Sequence, residues 1–184
     1  MIVSVDIRIA SMLSALSGTI VPALEKGGFA AEQAQLLAGH LQVLRTQSEF
    51  SDEYETLEHR YTRRLAQDVI ETAEGGPQTT KAVIRIRALL DKGEPVGIAA
   101  VREAHTALCT AVADFVAAEG EDGTDESVAR TTRIVLRAEH EQSLRNRSFF
   151  SSFGYEDSSA DIQPIDRMMA DFRSKFPAKD GASA

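Results

Sequence analysis

The sequence predicts an all-α fold: an up-and-down bundle of four to six helices over residues 1–150, followed by a C-terminal docking arm over residues 151–184. Three observations carry this expectation. Apolar residues recur at spacings of three and four along most of the chain, no stretch alternates apolar and polar at period two, and alanine is frequent while β-branched runs are few. Gly-Gly and Gly-Pro clusters mark the breaks between the periodic stretches.

The first helix starts near Ser4 or Asp6, either of which can accept an amide hydrogen bond as an N-cap, and its apolar face is Ile9, Leu13, Leu16 and Ile20. Pro22 lacks an N–H and pushes Val21 away from helical geometry, so a kink or an end is expected there before the turn at Gly27-Gly28. The next apolar seam is Leu36 or Leu37, His40, and Val43 or Leu44. It continues into Phe50, Tyr54, Leu57, Tyr61 and Leu65 with no glycine or proline between the two patterns. That continuity predicts one long helix to about Thr72, bent near residues 48–51; two helices with a tight joint is the alternative.

Gly75-Gly76-Pro77 is a break, because glycine suits a helix end and proline the first turn of the next helix. A helix with Val83, Ile86 and Leu90 follows and closes at Gly93. Pro95 opens another, with the seam Ile98, Val101, His105, Leu108, Val112 and Phe115, ending at Gly120. Glu119, Glu121, Asp122, Asp125 and Glu126 read as a solvated loop whose acids favour the N-terminal dipole of the following helix. That helix, Val128 to Phe150, sets His140 between Leu136 and Leu144 on one face. The arm carries Pro164 and a short amphipathic helix with Ile165, Met168 or Met169, Phe172 and Phe176. A helix of that length is marginal alone in water and requires a surface. Residues 178–184 read as a disordered end.

The chain has 184 residues and a net charge of −8, which weighs against nucleic acid and anionic membrane surfaces as partners. Its one cysteine, Cys109, excludes an internal disulfide framework and reads as a small core residue beside Val112 and Val116. The segment Ile9 to Leu24 lacks the positive flank and cleavage site of a signal peptide, and no apolar run approaches the ~20 residues of a membrane span. The expected location is the cytoplasm.

Three of the four histidines, His40, His105 and His140, fall in apolar seams on three helices, whereas His59 lies off its seam. Three imidazoles converging inside a bundle can hold zinc or iron. The specific signatures are missing: there is no Glu-x-x-His, no H-E-x-x-H, and no histidine pair at i, i+4. No cofactor is therefore expected, with a zinc or iron site at those histidines as the alternative. His105 and His140, flanked by Glu103, Glu139 and Glu141, are alternatively a buried hydrogen-bonded pair. Arg130, Arg133 and Arg137 share a helical face and suit an anion, as do Arg60, Arg63 and Arg64, but ion pairing with neighbouring acids such as Glu55 and Glu71 is the commoner use.

The run Ile20-Val21-Pro22-Ala23-Leu24, the alanine- and leucine-rich stretch after it, and Tyr54-Glu55-Thr56-Leu57-Glu58 together resemble a family of uncharacterised small bacterial helical proteins. Members of that family tend to be encoded beside aminoglycoside-phosphotransferase-like kinases and acyl-CoA dehydrogenases. The resemblance spans residues 9–147, carries no known active site, and implies an accessory role.

No catalytic arrangement emerges from order or spacing. The expected function is therefore a non-enzymatic interaction protein, a homodimer acting beside a metabolic partner. Its expected surface is Phe149, Phe150, Phe153, Tyr155, Met168, Met169, Phe172 and Phe176. The alternative is a metal- or small-anion-binding bundle.

Overall fold

The structure, a computed structural model, describes residues 4–150 and 162–176. Helices α1 (Val5–Ala15), α2 (Val21–Ala23), α3 (Phe29–Ser48), α4 (Ser51–Glu71), α5 (Pro77–Leu90), α6 (Ile98–Asp122), α7 (Asp125–Phe150) and α8 (Ile165–Lys175) account for most of these residues, and no strand occurs among them. The all-α expectation holds. The chain divides into two compact units, one formed by Asp52–Leu144 and the other by Met1–Ser51 with Arg145–Ala184. The helix of the C-terminal arm falls in the same unit as the N-terminal helices.

In the N-terminal unit, Ser4 caps α1 by accepting the Ile7 amide at 3.3 Å. Pro22 cannot donate to a preceding carbonyl, and the helix answers with a wider π-turn over Leu16–Ile20, closed by the Val21 amide on the Leu16 carbonyl. Helices α1 and α3 form an antiparallel pair whose far ends are joined by Asp6 and Arg45 at 2.5 Å. Ile9, Leu16, Ala31, Ala34 and Val43 are buried, the two alanines leaving room for the backbones to approach. The 19-residue stretch Val5–Ala23 is long and apolar enough, by length and composition, to cross a membrane, with a mean hydropathy of 1.2 over an 18-residue window. That corrects the expectation that no apolar run reaches this length.

The long helix expected from Ala30 to Thr72 is two helices. The chain breaks at Glu49-Phe50, where the Ser48 hydroxyl donates to the Arg45 carbonyl at 2.8 Å and the Phe50 amide reaches only three residues back, to Gln47. A side chain that bonds its own backbone offers an alternative to continuing the helix.

In the unit Asp52–Leu144, α4, α5, α6 and most of α7 run up and down around Ala66, Val69, Ile86, Leu108, Ala111, Val112 and Phe115, with Ile134 and Val135 closing the core from α7. Two loops meet at one end. The Gly76 amide donates to the Asp122 carbonyl and the Thr124 amide to the Glu74 carbonyl, both at 3.0 Å, with Gly75 bridged to Gly123. Helix α6 therefore ends at Gly123, passing through the expected stop at Gly120. The acids nearby are not all solvated as expected. Asp122 caps α5 by accepting the Gln78 and Thr79 amides and the Thr79 hydroxyl, and Glu119 is 1 % exposed. The caps need the extra turn: ending α6 at Gly120 would place Asp122 in the loop.

Candidate functional site

The histidine at the centre of this unit is His59, the one the sequence pattern left out. It sits midway along α4, is 2 % exposed, and neither ring nitrogen has a hydrogen-bond partner. A buried polar group left in this state costs about 1–3 kcal/mol. Burial holds its pKa below the ordinary imidazole range, and the Arg63 charge one turn away pushes it further the same way, so the ring is neutral near pH 7.

His59 is among the residues lining a cavity of about 250 Å³, while both its ring nitrogens stay buried. Leu89, Pro95, Ala104, Ala107 and Leu108 supply its apolar wall, while Arg63, Lys92 and Glu103 supply its charged groups. Arg63 is already committed: it donates to the Leu90 carbonyl at 2.9 Å and the Gly93 carbonyl at 3.4 Å, and lies 4.0 Å from Glu94. These contacts satisfy carbonyls at the end of α5, which a helix C-terminus leaves without internal partners. Gly93 and Gly97, at φ of 79° and 85°, provide the left-handed backbone that turns the chain from α5 into α6.

The His105 ring packs edge-on against that of His59, with centroids 6.3 Å apart. Its Nδ1 lies 3.4 Å from the Thr62 hydroxyl and its Nε2 lies 3.6 Å from the Cys109 sulfur. Cys109 as a residue is exposed, not the core position expected, with its sulfur turned against His105. Desolvation of its sulfur still pushes the thiol pKa up, so the group is a thiol and not a reactive thiolate.

The three seam histidines do not share an environment. His105 is half-buried, His140 is exposed beside a 64 %-exposed Leu136, and His40 is exposed in the N-terminal unit. The expected buried His105–His140 pair is replaced by His59–His105, because the face of α7 carrying Leu136 and His140 points to solvent. Among the described residues no group of three histidine, cysteine or acidic side chains gathers as metal ligands would. Arg130 lies 3.6 Å from Glu74 and 3.9 Å from Glu126, while Arg133 and Arg137 are exposed.

Met168, Met169 and Phe172 are buried within the chain itself, Phe149 and Phe176 are partly covered, and Phe150 is exposed. The Phe149 carbonyl accepts from the Gln47 side-chain Nε2 at 3.1 Å. Phe153, Tyr155 and the expected disordered end lie outside the described residues. The large apolar side chains that remain open cluster elsewhere: Val5, Ile7, Met12 and Ile20 on the first helix, and Phe29, Leu36, Leu37 and Leu44 on α3. The α3 set is the expected seam with His40, now facing out while Val43 faces in.

Position 59 was legible in a second pattern. Residues 59, 62, 66 and 69 follow helical spacing, and Ala66 and Val69 are both fully buried. The seam through Tyr54, Leu57, Tyr61 and Leu65 hid this one, because α4 is covered on a wider arc than a single stripe.

Comparisons with protein-family models, with curated proteins and with solved structures gave no match for this chain. The fold and site define an all-helical bundle protein with a buried histidine at a small cavity.

Proposed function

We propose that this is a non-enzymatic interaction protein that forms a homodimer through the apolar outer face of α1 and α3, as an accessory to a metabolic partner. The observation that carries the reading is the concentration of exposed large apolar residues on those two helices, with Phe29 77 % exposed. All eight residues are between 48 % and 77 % exposed. Single exposed apolar residues are ordinary on a surface, but a concentration of them on two paired helices marks an interaction site. The occupant favoured is a second copy, because α3 repeats its apolar residues at 29, 36 or 37, and 44, the near-heptad period with which one helix packs against its like.

Light scattering on the size-fractionated full chain tests this. A dimer at micromolar concentration that becomes a monomer in Leu37→Glu/Leu44→Glu, with unchanged helix content, is the expected result. A wild-type chain that is monomeric across that range overturns it, as does a dimer indifferent to the double substitution.

A further inference from the structure

The cavity at the α5–α6 connection belongs to the other unit and has no part in the reading above. Ala100, Ala104 and Ala107 line it, recurring at spacings of four and three along one face of α6, with Leu89 and Pro95 on the same wall. Alanine brings little volume to a wall, and the space beside these three is about 250 Å³. An apolar cavity of about 150 Å³ holds benzene, so this one takes a body of about two fused rings.

The buried nitrogens of His59 offer a guest no hydrogen bond, so its polar group has to be answered at the mouth. The mouth is marked by Lys92 and Glu103, the exposed charged residues of the lining. The charges around the cavity do not cancel. Arg63 and Lys92 stand against Glu103, and Glu94, the acid 4.0 Å from Arg63, also lies 3.8 Å from Arg60. Three cations thus face two acids. Arg63 donates to the Leu90 and Gly93 carbonyls and so supplies charge rather than a free fork. Lys92 makes no ion pair among the described residues, which leaves its ammonium open to a ligand. A carboxylate at the mouth keeps part of its water and avoids the cost of burying a charge, while an apolar body fills the space inside. We propose that this cavity is a binding site for a compact cyclic monocarboxylate, its apolar body against the α6 alanines and its carboxylate on Lys92.

The test titrates the full chain at low salt with 2-naphthoate, its uncharged isostere 2-naphthamide, and 2-naphthylmethylammonium, followed by amide chemical shifts. The expected result is saturable one-to-one binding of 2-naphthoate, tighter than 2-naphthamide by about threefold, what an exposed ion pair contributes, with the cation weakest. Added salt should narrow the gap, because exposed charges are screened. Lys92→Gln should bring 2-naphthoate to the level of 2-naphthamide and leave the amide unchanged. Ala104→Leu, which fills the cavity, should abolish binding of both; Ala107→Leu substitutes if that variant does not melt cooperatively. Four results each overturn the proposal: no saturable binding of 2-naphthoate, an amide bound as tightly as the acid, a preference unchanged in Lys92→Gln, or shift changes centred on α1 and α3 instead of the cavity.

Discussion

Ser127 and Glu119 meet at 2.5 Å in the interior, hydroxyl to carboxyl, where the first turn of α7 passes the last turn of α6. The same hydroxyl accepts the Glu74 amide at 2.9 Å and lies 3.2 Å from the Thr72 carbonyl. One side chain thereby fastens the α4–α5 loop to the α6–α7 loop. Ser127→Ala leaves the carboxyl and an amide unanswered, at about 1–3 kcal/mol for each buried group so stranded. We expect a loss of about 3 kcal/mol in urea unfolding, with Ser127→Thr recovering part of it.

Two glycines in α6 and its cap separate packing from propensity. A methyl on Gly123 would run into the Glu119 carbonyl oxygen, whereas one on Gly120 meets nothing within 4 Å. Gly123→Ala should cost about 1–3 kcal/mol through overpacking. Gly120→Ala, inside the helix, should raise stability by about 0.5–1 kcal/mol. Thermal melts of the two variants should shift in opposite directions.

Stability should fall in two stages on acidification. His59 has a folded-state pKa below its ordinary 6.5, so the unfolded chain takes up the proton first and stability declines as pH drops below about 6.5. Arg63, His105 and Arg60 act in this direction and Glu94 against it. Asp122, Glu55 and Asp6 are held below the usual carboxylate range, chiefly by hydrogen bonds from Thr79, Arg102 and Arg45 respectively. Their contribution is present above the ordinary carboxylate pKa and is lost as pH falls through the lowered values. Urea midpoints at pH 7.5, 5.5 and 3.5 should show both stages, and His59→Phe should remove the first alone.

Met169 is fully buried although it lies in the arm. Met169→Ala should destabilise the chain by about 2–5 kcal/mol, the cost of deleting a buried long side chain. An exposed arm would give no change, so a single denaturation curve distinguishes the cases.

How far the sequence could be read depended on which force set each feature. Helix existence, the breaks at Gly27-Gly28 and Gly75-Gly76-Pro77, and the core positions Ile86, Leu108 and Phe115 follow from periodicity and backbone chemistry, and all are present. The split at Glu49-Phe50 is set by one serine hydroxyl returning to its own backbone, a signal too local to outweigh a continuous apolar spacing. The end of α6 depends on partners about 45 residues away, Gly76 and Thr79, which no window around Gly120 contains. The placement of the histidines departs from the seams for a related reason. An apolar seam says that a face is to be covered but not whether its own chain covers it, and the seams through His40 and His140 stay open.

The two loops clasped through Gly75, Gly123 and Ser127 lie at one end of the α4–α7 unit, and the cavity under the α5–α6 connection lies towards the other. Amide hydrogen exchange should therefore run as a gradient along the helices. Protons at residues 74–79 and 119–127 should exchange only when the whole unit opens, while those at 91–97 exchange through small local excursions. The end of the unit that holds the cavity is thus the end least tied down.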